Sequence, residues 1–209
     1  VKEKLNDLSR EHAKISPGAA SEKKETEPGL MADIKEVLYT EQQVSERVYE
    51  LAKQIERDYR GKNPLLVSIL KGSFIFMADL VRNLDMDCTV DFMIVSSYGN
   101  KSKSTGAVKI IKDLDIDIEG KHILIVEDIL DSGLTLSYIK RILDAKKPAS
   151  VRICTLLDKP DRRTANISAD YVGFTIPDVF IVGYGLDYAE KYRNLPSIGV
   201  LDPLVYRNE

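Results

Sequence analysis

The sequence is poor in the residues that announce metal or redox chemistry. It has two cysteines and two histidines in 209 residues. Cys88 and Cys154 lie in apolar, strand-like runs with no C-x-x-C spacing, so they read as free thiols of a reducing compartment rather than a disulfide or a zinc site. His12 and His122 stand alone, which leaves a histidine triad or zinc cage without support. No apolar run approaches a membrane span, and no hydrophobic leader opens the chain, so the expected location is the cytoplasm, with no membrane partner. The net charge of -3 and the absence of a helix-turn-helix appendage argue against a nucleic-acid partner. A Walker-type G-x-x-x-x-G-K-[ST] run is also missing.

What is present is an ordinary soluble composition, 44% hydrophobic and 30% charged, in a chain long enough for one α/β domain with an appendage. Residues 1–30 differ from the rest. The stretch 16–29, SPGAASEKKETEPG, is polar and carries two prolines and two glycines, so 1–30 reads as a flexible extension ahead of a domain at 31–209. Thr40 with Gln43 predicts a capping box, followed by a helix that faces Val44, Val48, Leu51, Ala52, Ile55 and Tyr59 inward and stops at Gly61. Apolar runs at 64–70, 88–96, 107–111, 122–126 and 151–157 predict strands. The segments 73–84 and 134–144 predict helices between them. Alternation of this kind predicts βαβ units and a mainly parallel sheet with helices on both faces. The glycine-bearing run 97–106, SYGNKSKSTG, predicts a mobile loop.

The chemistry concentrates in 124–135, LIVEDILDSGLT. An apolar strand ends in Glu127 and Asp128. Asp131 follows, and then a Ser132–Gly133–Leu134–Thr135 turn opens a helix. Ligands of parallel sheets sit beyond the carboxyl ends of the strands. A glycine-relieved turn at a helix start, aided by the Ser132 and Thr135 hydroxyls, suits a phosphate. Adjacent carboxylates repel unless a cation or hydroxyl donors share them, and a metal-bound sugar diol supplies both. Asp131 or Ser132 as a mere helix cap explains one acid and not three.

This stretch resembles the phosphoribosyl-pyrophosphate signature of the type I phosphoribosyltransferases. Two further segments narrow the resemblance. LLDKPDRR (156–163) and PDVFIVGYGLDYAEKYRNLP (177–196) are similar to the hood of the hypoxanthine-guanine branch, and the likeness runs over roughly 34–201. The implied fold is a twisted, mainly parallel sheet flanked by helices, with a small hood from about 158–200 plus an N-terminal segment, and a flexible lid. The implied reaction moves the phosphoribosyl group of phosphoribosyl pyrophosphate to hypoxanthine or guanine, with Mg²⁺, in a homodimer or homotetramer.

By the same resemblance, Glu127 and Asp128 hold the ribose hydroxyls and a Mg²⁺. Asp131, Ser132, Gly133 and Thr135 surround the 5′-phosphate, and Asp131 doubles as the general base toward the purine. Lys71 and Gly72 in ILKGS (69–73) bind pyrophosphate with Arg193, and the Leu70–Lys71 peptide is expected to be cis. Ser97 and Tyr98 belong to the lid. Lys159 reads the 6-oxo group, Phe180 stacks on the base, the Ile181 main chain meets its 2-position, and Asp187 binds a second Mg²⁺ beside the base. The residues themselves support one part of this directly. An ammonium is a donor only, so Lys159 suits a carbonyl and rejects an adenine amino group. Xanthine remains open, as does the choice between hypoxanthine and guanine. Leu134 departs from the polar residue of many relatives and is left out of the site.

Overall fold

The computed structural model describes residues 29–97 and 108–206. In chain order the elements are β1 (Ile34–Tyr39), α1 (Glu41–Tyr59), β2 (Leu65–Leu70), α2 (Phe74–Asn83), β3 (Thr89–Ser97), β4 (Val108–Lys112), β5 (His122–Leu130), α3 (Leu134–Ala145), β6 (Ser150–Asp158), β7 (Tyr171–Thr175), β8 (Ile181–Val182), β9 (Ile198–Leu201) and α4 (Pro203–Tyr206). Six strands form one sheet in the order β4-β3-β2-β5-β6-β7. All its pairs are parallel except β3 with the edge strand β4.

The uninterrupted apolar strands are explained by burial on both faces. Along β5, Leu124 and Val126 pack with α1 and α2, while Ile123 and Ile125 pack with α3. Leu66 takes the first face of β2, and Leu65, Val67 and Ile69 take the second. The period of two is therefore present, hidden because both faces are apolar. Helix α1 starts at the predicted capping box, with the Gln43 amide donating to Thr40 Oγ1 (3.3 Å) and the Thr40 amide donating to Gln43 Oε1 (2.9 Å). Its buried side chains are the six predicted from spacing. Gly61 ends it with φ +74°, a left-handed conformation that glycine adopts at no cost.

Strand β5 corrects one boundary. The run does not stop at Val126 but continues to Leu130, so Glu127 and Asp128 lie inside a strand. The cause is asymmetric pairing. Neighbour β2 leaves at the Ser68–Val126 pair, whereas β6 stays in register to the Leu130–Asp158 pair. The two acids therefore occupy a half-open edge facing the space vacated by β2. From β2 the chain passes by α2 to β3 on one side, and β5 lies on the other, so the switch point of the sheet falls between β2 and β5.

A second, three-stranded antiparallel sheet, β1-β9-β8, stands over this end as a hood. Val182, Tyr192, Leu195 and Leu201 form its own small core. Sequence periodicity did not reveal β1, β7, β8 or β9; β7, β8 and β9 are short, and β1 pairs with β9 across most of the chain length. Among the described residues no helix is long and apolar enough to cross a membrane.

Candidate active site

Two loops meet at the switch point. Beyond β2, the Leu70–Lys71 peptide is cis, as the resemblance implied. The following turn is pinned by Ser73, whose hydroxyl contacts Ser68 Oγ (2.7 Å) and donates to the Ile69 carbonyl (2.6 Å). Gly72 is pressed between two walls. A Cβ there would stand 1.6 Å from Asp128 Oδ2, and a Cβ on Gly185 of the hood would stand 2.1 Å from the Gly72 carbonyl oxygen. Only a glycine lets the backbone run this close to the acid.

Glu127 and Asp128 sit half-buried in that crevice, with neither forming an ion pair among the described residues and the Arg193 charge acting on Asp128 from the hood. Burial, then the neighbouring Asp128, pushes the Glu127 carboxyl well above its ordinary value. Burial pushes Asp128 up to about 6, against the opposing effect of the Ile129 amide that donates to Oδ1 at 2.8 Å. Glu127 Oε2 is buried with no hydrogen-bond partner. Hard oxygen donors held like this fit a hard divalent ion or a pair of hydroxyls. Among the described residues no three His, Cys, Asp or Glu side chains converge. Two adjacent carboxylates leave most of such an ion's coordination to other oxygens.

The turn after β5 has its own clasp. Gly133, φ +79°, precedes α3, and no side chain caps the helix start. The Leu134 amide reaches Ser132 Oγ only at 3.5 Å, and the positive end of the helix suits an anion. A Cβ on Gly133 would meet Ile167 at 2.6 Å and Arg163 at 2.9 Å, so the chain after β6 packs tightly beneath it. Arg163 donates to the carbonyls of Leu130 (3.0 Å), Asp131 (2.9 Å) and Ile167 (2.7 Å) and pairs with Asp158. The amides of Thr164 and Ala165 both donate to the Ser132 carbonyl, each at 3.0 Å. One arginine and two amides thereby fix the turn that carries Asp131, Ser132 and Thr135.

Next to this turn lies a cleft of about 320 Å³ between core and hood. Ile129 and Asp131 come from β5 and its end, and Lys159 from the end of β6. Phe180, Ile181 and Asp187 come from the hood. Lys159 is 8% exposed, and its ammonium donates to the Val179 carbonyl at 2.6 Å. Burial lowers its pKa, opposed by Asp131 and Asp178. Asp131 pairs with Arg162 Nε at 3.2 Å, and Arg162 reaches Asp178 at 3.5 Å. Phe180 is 41% exposed at the edge of this cleft. A larger cleft, about 500 Å³, lies between α1, α2 and the hood near Tyr184, away from these groups.

The hood also supplies the charges opposite Lys71. Arg193 donates to Asp187 (2.8 Å), to Glu190 (3.3 Å) and to the Gly185 carbonyl (2.8 Å), while its Nε is buried without a partner. Lys71 pairs with Glu190 at 3.1 Å. The segment is held in left-handed conformations at Tyr184, Ala189, Glu190 and Tyr192, with φ between 50° and 75°. Such backbone is costly without glycine and gathers at ligand clamps.

The predicted residues thus converge on one crevice: Gly72 against Asp128, Lys71 and Arg193 on the shared Glu190, and Asp131 across from Lys159 and Phe180. Ser97 ends β3, and Tyr98 lies outside the described residues. Sequence reasoning missed Ile129, Arg162 and Asp178. Ile129 looked like filler between acids. Its signal was strand alternation, which places it on the face opposite Asp128 once β5 is known to continue.

A sheet that switches direction beside a helix-start anion site, under a hood that closes a base-sized cleft, is the architecture of the type I phosphoribosyltransferases. Residues 36–189 match the phosphoribosyl transferase domain family, and the chain belongs to that family. Its relatives place it more finely. It is 54% identical over 176 residues to the hypoxanthine-guanine phosphoribosyltransferase of Bacillus subtilis, covering 84% of this chain and 98% of that protein. It is 48% identical over 206 residues to the Mycobacterium tuberculosis protein of the same name, covering 96% of this chain and 99% of that one. A crystal structure of a Staphylococcus aureus hypoxanthine phosphoribosyltransferase superimposes with a TM-score of 0.84 at 53% identity, over 87% of this chain and 99% of that one.

Proposed function

We propose that the protein transfers the phosphoribosyl group of phosphoribosyl pyrophosphate to hypoxanthine or guanine, giving IMP or GMP and pyrophosphate, a purine-salvage reaction. The observation that carries the base assignment is Lys159, a buried donor-only side chain at the wall of the cleft, with Ile129 and Phe180 as apolar partners for a flat ring. A 6-oxopurine gives the ammonium a second acceptor beside the Val179 carbonyl. A 6-aminopurine sets two donors against each other.

In the reaction the bond from sugar C1 to the pyrophosphate oxygen breaks and a bond from C1 to a purine nitrogen forms. The amides of the Gly133 turn, with Ser132 and Thr135, hold the 5′-phosphate at the start of α3. Glu127 and Asp128 accept from the ribose hydroxyls, which gives the unpartnered Glu127 oxygen its donor. Lys71 and Arg193 turn from Glu190 and Asp187 toward the departing pyrophosphate, whose charge they offset. Asp131 takes the N7 proton as the base becomes the nucleophile. Mg²⁺, when bound near Glu127–Asp128 and Asp187, supplies positive charge to the pyrophosphate and sugar oxygens. Ser97, at the end of β3, stands where a lid that keeps water from the activated sugar would begin.

The domain assignment is residues 31–209 with 1–30 as an extension. The assembly is a homodimer or homotetramer, and the cytoplasm is the setting, in keeping with two free cysteines of which Cys154 is buried. The test is a Mg²⁺-dependent nucleotide synthesis assay with hypoxanthine, guanine, xanthine and adenine in parallel. Turnover with the first two and none with adenine is the expected outcome. Adenine as the preferred base, or no nucleotide formed from any base, defeats the assignment.

A further inference from the structure

We infer that Tyr206, in the last described turn of the chain, is a positioning residue for base recognition: it backs the ring of Phe180 and fixes the plane on which the purine stacks. The inference rests on the hypoxanthine-guanine reading and adds a residue to it that lies outside the cleft. Phe180 is a poor platform alone. It sits just before the two-residue strand β8, and its side chain is 41% exposed. A phenyl ring with little packed around it turns between rotamers, and a stacking surface that turns loses the orientation on which tight binding depends.

Two rings remove that freedom. Tyr206 lies 5.0 Å from Phe180 between centroids, tilted by 32°, and so covers one face. Tyr188 meets Phe180 at 5.7 Å and 86°, in a T-shaped contact. Tyr188 and Tyr206 also touch each other, at 6.2 Å and 61°, so the three rings form a closed set. These are the offset and edge-on arrangements that aromatic pairs prefer. Phe180 lines the cleft together with Ile129 and keeps 41% of its surface open, so part of the ring is available to a ligand.

The support for Tyr206 is itself anchored. The Leu201 amide donates to the Phe180 carbonyl (3.0 Å), which ties the end of β9 to the platform's own backbone. The Asp202 amide donates to the Asp33 carbonyl (2.8 Å), and the Leu204 amide to Asp202 Oδ1 (2.9 Å). Tyr192 donates to Asp33 Oδ2 (2.7 Å), and Val205 with Tyr206 packs on the hood core of Val182, Tyr192, Leu195 and Leu201. The short turn after β9 is therefore a bracket, and the ring it presents goes to the platform.

The experiment compares steady-state kinetics of Tyr206→Ala, Tyr206→Leu and Tyr206→Phe with the unaltered protein, and uses Phe180→Ala as the reference for loss of the platform. Tyr206→Ala is expected to raise KM for hypoxanthine about 5-fold while KM for phosphoribosyl pyrophosphate and kcat stay within about 2-fold. Tyr206→Phe is expected to restore the base KM, because the ring and not the hydroxyl is the support. Should the alanine variant fail to fold, Tyr206→Leu keeps apolar volume without a ring and carries the same expectation. An unchanged base KM in the folded ring-less variant overturns the inference. So does an equal rise in KM for both substrates, which signals general loosening. If Phe180→Ala leaves the base KM untouched, the platform itself has failed. That outcome is distinct from Phe180→Ala raising it while the Tyr206 variants do not.

Discussion

At the scale of single residues, the crevice is set by how closely groups approach one another. Asp128 can lie against the Gly72 backbone only because residue 72 has no side chain, and the Gly72 carbonyl in turn crowds Gly185 of the hood. The three acids of 127–131 are held in different ways. Glu127 and Asp128 are half-buried and desolvation raises both carboxyls, which favours a ligand that brings positive charge or hydroxyl donors. Asp131 is more open and already answered by Arg162. That difference predicts a division of effect. Asp131→Asn keeps an acceptor oxygen and the shape of the pocket, so substrate KM values should change little while kcat falls by about 100-fold or more, the usual weight of a general base. Initial rates and KM for both substrates measure it. A kcat near that of the unaltered protein takes Asp131 out of the chemistry. The proposed role of Phe180 was legible only through resemblance, while for Lys159 the donor-only ammonium added chemical support once the resemblance had singled it out. Ile129, Arg162 and Tyr206 were not legible at all, because each acquires meaning from a neighbour far away in sequence.

At the scale of elements, the parts built from local pattern could be read and the parts built from distant pairing could not. Helix α1 shows its cap, its inward face and its glycine stop in adjacent residues. The hood strands β1 and β9 pair residues such as Val37 and Gly199, and neither strand is long enough to display a period. The continuation of β5 was hidden for a related reason: two acids look like the end of an apolar strand unless one knows that β6 continues alongside. The edge of the main sheet carries a further device. Asp91, buried on β3, accepts from the amides of Phe92 (2.7 Å) and Asp115 (2.9 Å) and from Lys112 of β4 (3.3 Å). Burial acts to raise its pKa, but the amides and Lys112 together outweigh it and hold the carboxyl below the ordinary 3.8. A depressed carboxylate stabilises the fold above the unfolded value, and the contribution is lost as pH falls through the folded value. Asp91→Asn should therefore cost about 1–2 kcal/mol at pH 7 and progressively less as pH drops below about 4. Urea unfolding of both proteins across that range reads the difference, and a cost independent of pH would show that the charge contributes nothing.

At the scale of the whole molecule, the proposed function divides the substrate between the two sheets. The six-stranded sheet supplies the acids, the phosphate turn and Lys159, while the hood supplies Phe180, Ile181, Asp187 and Arg193. On the proposed function a product nucleotide would touch both, with its phosphate on the start of α3 and its base beside Ile129 and Phe180, so binding would tie the hood to the core. A ligand that binds only the folded state stabilises it by mass action, about 2.7 kcal/mol at a hundred times its Kd. For a domain of this size that corresponds to roughly 5–10 °C in Tm. IMP and GMP should each produce a shift of that order in thermal unfolding. AMP carries the same sugar phosphate but presents an amino group to Lys159, so it should give a clearly smaller shift at equal concentration. The comparison isolates the base, because phosphate turn, ribose acids and hood are engaged alike in all three. Equal shifts with AMP and IMP would mean that Lys159 does not choose the base, and that the sugar phosphate alone holds hood and core together.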